Sequence, residues 1–135
     1  MATRILDTEV LISHYKRMTK SRTAESVKAH ARHLIAVENT KWILSPIRIE
    51  FLCGAMSSDE FKLYSAYLEP FEVLDKQYIS SQDWSEAERR AQWAKKTGRP
   101  RKLGDCLIQA IAKRLHAEVA TRDPDIQPGT PPKQS

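Results

Sequence analysis

The chain has few cysteines, no long apolar run and no internal repeat, and each shortage narrows what it can be. Its two cysteines, Cys53 and Cys106, lie far apart, form no CxxC pair and share no histidine pattern with zinc-ligand spacing. Buried free thiols are therefore expected. No apolar stretch approaches the roughly 20 residues that cross a bilayer, which excludes a membrane-spanning helix. The opening MATRILDTEVLISHYKR carries Arg4, Asp7 and Glu9 where a secretion signal needs an uninterrupted apolar core, so the chain is expected to act in the cytoplasm. With 135 residues and no repeat there is room for one domain around one core.

What is present reads as strands alternating with helices. TRILDT places Ile5 and Leu6 directly before an acid, as a short buried strand ends at its polar tip. Thr8 can then cap a helix with an apolar face of Val10, Leu11, Ile12 and Tyr15, and a second amphipathic stretch follows from Ala24 to Val37. WILS, residues 42–45, reads as a strand, and Pro46 suits the first turn of the next helix, which puts Glu50 one turn further in. SDEFKLYSAYLEP is helical up to Pro70, and FEVLD, residues 71–75, looks like a third strand. A polar helix from Ser81 to Lys96 offers Trp84, Ala87, Ala91 and Ala94 for packing and stops at Gly98 and Pro100. From Leu103 the apolar residues Leu107, Ile108, Ile111, Ala112 and Leu115 recur at helical spacing, and EVAT, residues 118–121, makes a fourth strand. Parallel strands need crossover connections, so this alternation argues for an α/β fold with a parallel sheet covered on both faces. The closing PGTPPKQS has three prolines and no large apolar residue and is expected to stay solvated or to dock on a partner.

In such a sheet ligands bind beyond the carboxyl ends of the strands, where the strand order reverses. Asp7 and Asp123 follow the ends of apolar strands, while Glu50 and Asp105 lie in the opening turns of helices that crossovers can bring to the same edge. Four carboxylates gathered there would repel one another and lose hydration, a cost that a bound cation relieves. Oxygen donors without thiolate or imidazole suit magnesium or manganese, ions that contact phosphate oxygens and support phosphodiester hydrolysis. The net charge of +5 and the pI near 9.3 agree with an anionic partner such as nucleic acid.

ILDTEVLI, LSPIRIEFLCG, GRPRKLGDCLIQAIA and VATRD, in that order, resemble the motifs of PIN-domain nucleases, over about residues 3 to 123. Within that family the likeness is closest to the VapC toxins of bacterial toxin–antitoxin pairs. The resemblance implies a three-layer α/β/α, flavodoxin-like fold with a short central parallel sheet, formed by residues 1–125 and followed by a flexible proline-rich tail, 126–135. It implies a magnesium-dependent endoribonuclease, a hydrolase of RNA phosphodiester bonds, with Asp7, Glu50, Asp105 and Asp123 as catalytic metal ligands and Thr8 supporting the metal shell. It further implies a homodimer held inactive by a cognate antitoxin, with operator DNA bound only by the toxin–antitoxin complex. One motif departs from the family pattern. TRDPDIQ is shorter by one residue and lacks the usual aromatic, which leaves Asp123 and Asp125 as alternatives for the fourth acid.

Lys95, Lys96, Arg99, Arg101 and Lys102 form a basic stretch leading into Asp105 and are candidates for RNA backbone contacts, against the plainer reading of a solvated charge run. His14, His30, His33 and His116 have no nucleophile beside them and are read as structural or solvated. Trp42, Trp84 and Trp93 are read as core or interface anchors. The rival functional reading is a basic nucleic-acid-binding module with the same fold and no catalysis.

Overall fold

The computed structural model of the protein describes residues 3–96 and 102–120. Four strands, β1 (Thr3–Leu6), β2 (Trp42–Ile43), β3 (Glu72–Val73) and β4 (Ala117–Ala120), form one parallel sheet in the order β3-β2-β1-β4. Each crossover carries two helices: α1 (Thr8–Lys16) and α2 (Ala24–Glu38), then α3 (Ser45–Cys53) and α4 (Ser58–Leu68), then α5 (Ser81–Lys96) and α6 (Leu103–Arg114). This is the expected three-layer α/β/α fold. The chain moves outward from β1 to β3 and then returns to the other side of β1, so the strand order reverses between β1 and β4. Asp7 stands at that reversal, and its backbone N–H donates to the Ala120 carbonyl at 3.1 Å, which carries the β1–β4 pairing one step past the strand.

The apolar residues that mark the elements in sequence also hold them together. Ile5 and Leu6 of β1, Ile43 of β2 and Val119 of β4 are buried with Leu11, Leu34, Ile47, Tyr67, Ile108 and Ile111 in one cluster. At about 25 cal/mol per Å² of apolar surface removed from water, this continuous core is the main favourable contribution to the fold. A smaller cluster of Ala87, Cys106, Leu107 and Ala110, with Ile79 against it, locks α5 onto α6. Tyr67 is wholly buried, and its hydroxyl lies 2.7 Å from Nδ1 of the buried His14. Burial pushes the Tyr67 phenol well above its ordinary range. His30 stacks on His14 with ring centroids 3.7 Å apart and donates from Nε2 to the His14 carbonyl at 2.7 Å, so both take the structural role expected of them.

Several expectations change. Cys53 is exposed whereas Cys106 is buried. Cys53 follows the buried Phe51 by two positions, about 200° around the helix, so it points away from the core. Trp84 is 47% exposed, and the buried residue of that turn is Asp83. Ala87 packs as expected but Ala91 is exposed, while the side chain of Ala94 lies outside the described ones. β2 and β3 are also shorter than their apolar runs, because Ser45 already opens α3 and Asp75 turns back to meet it.

Candidate active site

The site is built where the sheet order reverses. Asp7 directly follows β1 and is 2% exposed. It is also the N-cap residue of α1, in extended backbone and without a side-chain capping bond, so Thr8 is the first residue of the helix and not its cap. The Thr8 hydroxyl is used elsewhere: it donates to Oε1 of Glu50 at 2.6 Å, across 42 residues of sequence. That bond joins the start of α1 to the second turn of α3.

Glu50 is held from two sides, since α3 packs against α1 and against α6. Its carboxyl is raised above the ordinary value of 4.5, first by burial and also by the charge of Asp7, against the lowering effects of the Thr8 bond and of Lys102. The two acids are therefore close enough to oppose each other's ionisation. On the α6 side the approach is closer still. A Cβ built on Gly104 would collide with Oε2 of Glu50 and stand 3.0 Å from its Cδ. Gly104 thus leaves the space that the Glu50 carboxylate occupies, and Asp105, half-buried, comes next in the first turn of α6. Lys102, not Asp105, is the N-cap residue of that helix.

A buried acid also fixes the helix that carries Glu50. Asp75 lies beyond the end of β3, and its carboxylate accepts from the Ser45 backbone N–H at 2.9 Å and from the Ser45 hydroxyl. Leu44, the N-cap residue of α3, has no side chain that could cap, so Asp75 satisfies an orphan donor of this helix from 30 residues away. Sequence reasoning missed both Asp75 and Gly104. FEVLD reads as a strand running through Asp75, and a glycine before an acid at a helix start carries no local signal of the carboxylate it must admit.

The structure thus brings Asp7, Thr8 and Glu50 together, with Gly104 against Glu50 and Asp105 following Gly104 in the chain. Asp123 and Asp125 lie outside the described residues, as do Arg99 and Arg101 and the side chains of Lys95 and Lys96. Lys102 is described and exposed. Among the described residues no three His, Cys, Asp or Glu side chains form a group that could hold a metal by themselves. The donor chemistry nevertheless fits a hard divalent cation. Asp7 and Glu50 offer oxygen only, one of them almost fully buried, and their mutual repulsion is the kind that a cation removes. No helix among the described residues is long and apolar enough to cross a membrane.

No curated protein matches the chain. The model of the PIN domain family matches it over residues 4–128, nearly its whole length. Members of that family are generally metal-dependent nucleases, which act on RNA and use divalent ions such as magnesium. The matched span takes in Asp7, Glu50, Asp105 and Asp123, and with the parallel sheet and its six helices it settles the class: this chain belongs to the PIN domain family.

Proposed function

We propose that the protein is a magnesium-dependent endoribonuclease acting as the toxin of a type II toxin–antitoxin pair. The observation that carries the catalytic reading is the Asp7–Glu50 pair at the carboxyl end of β1, in which a buried acid faces a second acid whose carboxyl is raised. Asp7, Glu50, Asp105 and Asp123, or Asp125 in place of the last, would hold the ion. Magnesium, or manganese in its place, would supply charge neutralisation at the scissile phosphate and activation of the attacking water. Thr8 fixes the rotamer of Glu50 through its hydroxyl bond, and Gly104 keeps the space for that carboxylate open. Lys102, with the basic residues Lys95, Lys96, Arg99 and Arg101 that precede it, would meet the RNA backbone. The toxin role rests on the likeness of the four motifs to VapC toxins, and it brings a homodimer, a cognate antitoxin and cytoplasmic action with it.

The test is cleavage of RNA by the purified protein in magnesium, with and without a chelator. Asp7→Asn and Asp105→Asn should each lower the rate on the order of 10³-fold, the loss of several kcal/mol of charge stabilisation. Undiminished cleavage by either variant would sink the assignment of these ligands. RNA binding without any cleavage, indifferent to chelator, would favour the non-catalytic module instead. Copurification of a small inhibitory protein tests the toxin role.

A further inference from the structure

A groove of about 330 Å³ runs beside Glu50, and its walls are aliphatic: Pro46, Ile49, Ile79, Leu103 and Leu107. Glu50 and Gly104 line it too, so the groove and the carboxylate pair share a wall. Ile49 and Leu103 are 60% and 65% exposed, which leaves large aliphatic side chains in water next to the partly buried Glu50. The polar side chain at the rim other than Glu50 is Ser45, and its hydroxyl is committed to Asp75. The groove therefore offers apolar surface with almost no hydrogen-bonding code.

We propose that this groove is a subsite for one unpaired nucleobase of the RNA, the base next to the phosphate at the carboxylates. This rests on the nuclease reading above. The occupant follows from charge, size and continuity. The exposed Lys102 adjoins Leu103 in the chain, and the protein's net charge of +5 attracts a polyanion. The volume lies at the lower end of the range of about 300–1,000 Å³ for small-ligand pockets, which suits a single flat heterocycle better than the row of anchors a docked helix presents. A chain whose phosphate sits on the wall shared with Glu50 can place its next base over the aliphatic surface, and single-stranded RNA is the form whose bases are free to do so. Among the described lining residues Glu50 and the committed Ser45 are the polar side chains, so the groove takes any base and favours purines over pyrimidines for their larger apolar area.

The experiment uses the full chain carrying Asp7→Asn, which keeps RNA whole, and compares binding of short oligoadenylate, oligouridylate and an abasic ribose-phosphate oligomer of equal length. The adenylate should bind on the order of fivefold to tenfold more tightly than the abasic strand, with uridylate between them. Adding Ile49→Ala or Leu103→Ala should erase most of that difference and leave the salt dependence of binding unchanged, because phosphate contacts persist. Both positions are exposed, so folding is preserved, which circular dichroism checks. An adenylate-to-abasic ratio that survives both substitutions overturns the proposal. So does loss of a copurifying protein with RNA binding intact, which would make the groove a protein-docking surface. Wild-type protein that fails to cleave RNA while the groove variants lose the base effect would sink the nuclease reading and leave the subsite standing. Cleavage without any base effect would do the reverse.

Discussion

Two groups of carboxylates in this molecule are treated in opposite ways. On the face between α5 and α6, Asp83 is 1% exposed and accepts from Arg114 Nε at 2.9 and 3.0 Å and from the Ser80 backbone N–H at 2.9 Å. Glu86 nearby accepts from Arg89 and Arg90 and stands 3.4 Å from the Lys113 ammonium. Burial works against the charge of both acids, yet the guanidinium bonds outweigh it and hold both carboxyls below their ordinary values. At the sheet edge, Glu50 has Thr8 for a hydrogen-bond partner and Asp7 for a neighbour, and among the described residues no ion pair reaches it. Its carboxyl moves the other way. Asp83 and Glu86 have cationic partners, whereas Glu50, beside the strand-order reversal where a cation and a phosphate would meet, has no ion pair among the described residues.

The largest expected effect falls on the neutralised group. Asp83→Ala leaves the Arg114 guanidinium without its carboxylate and the Ser80 backbone N–H without its acceptor, and should lower stability by about 3 kcal/mol in chemical denaturation. The pH dependence has a definite sign. Because Asp83 is held below its ordinary value of 3.8, its contribution is complete above that value and is lost as pH falls through the lower folded one. Acid unfolding of the wild type should therefore be steeper than that of Asp83→Ala, and equal slopes would break the contrast between the two groups.

Next in size is Gly104→Ala. The new methyl group would meet the far end of a flexible side chain, so the melting temperature should stay within a few degrees of wild type while the Glu50 carboxylate is displaced. Cleavage should fall about 10- to 100-fold, in line with a disturbed support around a metal ligand. A variant with full activity would show that Glu50 does not need its present place. Asp75→Ala should cost about 1–2 kcal/mol through the lost cap of α3, and Asp75→Asn, which can still accept from Ser45, should recover most of it. The smallest effect has the opposite sign. Glu50→Gln keeps an acceptor for Thr8 and removes the repulsion with Asp7, so without metal it should stabilise the protein by about 0.5 kcal/mol.

Most of the fold is legible in the sequence because its signals are local. Ile5 and Leu6 before Asp7, Pro46 in the first turn of α3 and the spacing of Leu107, Ile108 and Ile111 each report on a few neighbouring residues. The place of Asp7 at a strand end, of Glu50 in the second turn of α3 and of Asp105 in the first turn of α6 was readable for the same reason. What could not be read depends on distant partners. The Thr8 hydroxyl faces Glu50 and not its own helix because α1 and α3 pack side by side, and Asp75 leaves its strand to cap a helix that begins 30 residues earlier. Periodicity marks which face of an element is apolar but does not say which element meets it, so the Glu50 cradle at Gly104 and the burial of Asp83 beside an exposed Trp84 emerge only in three dimensions.

The central claim is that Asp7 and Glu50 bind a divalent cation, and the most direct measurement is thermal unfolding of the wild type, Asp7→Asn and Asp83→Ala across a magnesium titration. A ligand that binds only the folded state stabilises it by RT ln(1 + [L]/Kd), so magnesium at about 100 times its Kd should add about 2.7 kcal/mol. The account predicts that rise for the wild type and equally for the weakened Asp83→Ala, with little or none for Asp7→Asn. A wild type indifferent to magnesium, or an Asp7→Asn variant that responds as fully as the wild type, would contradict it.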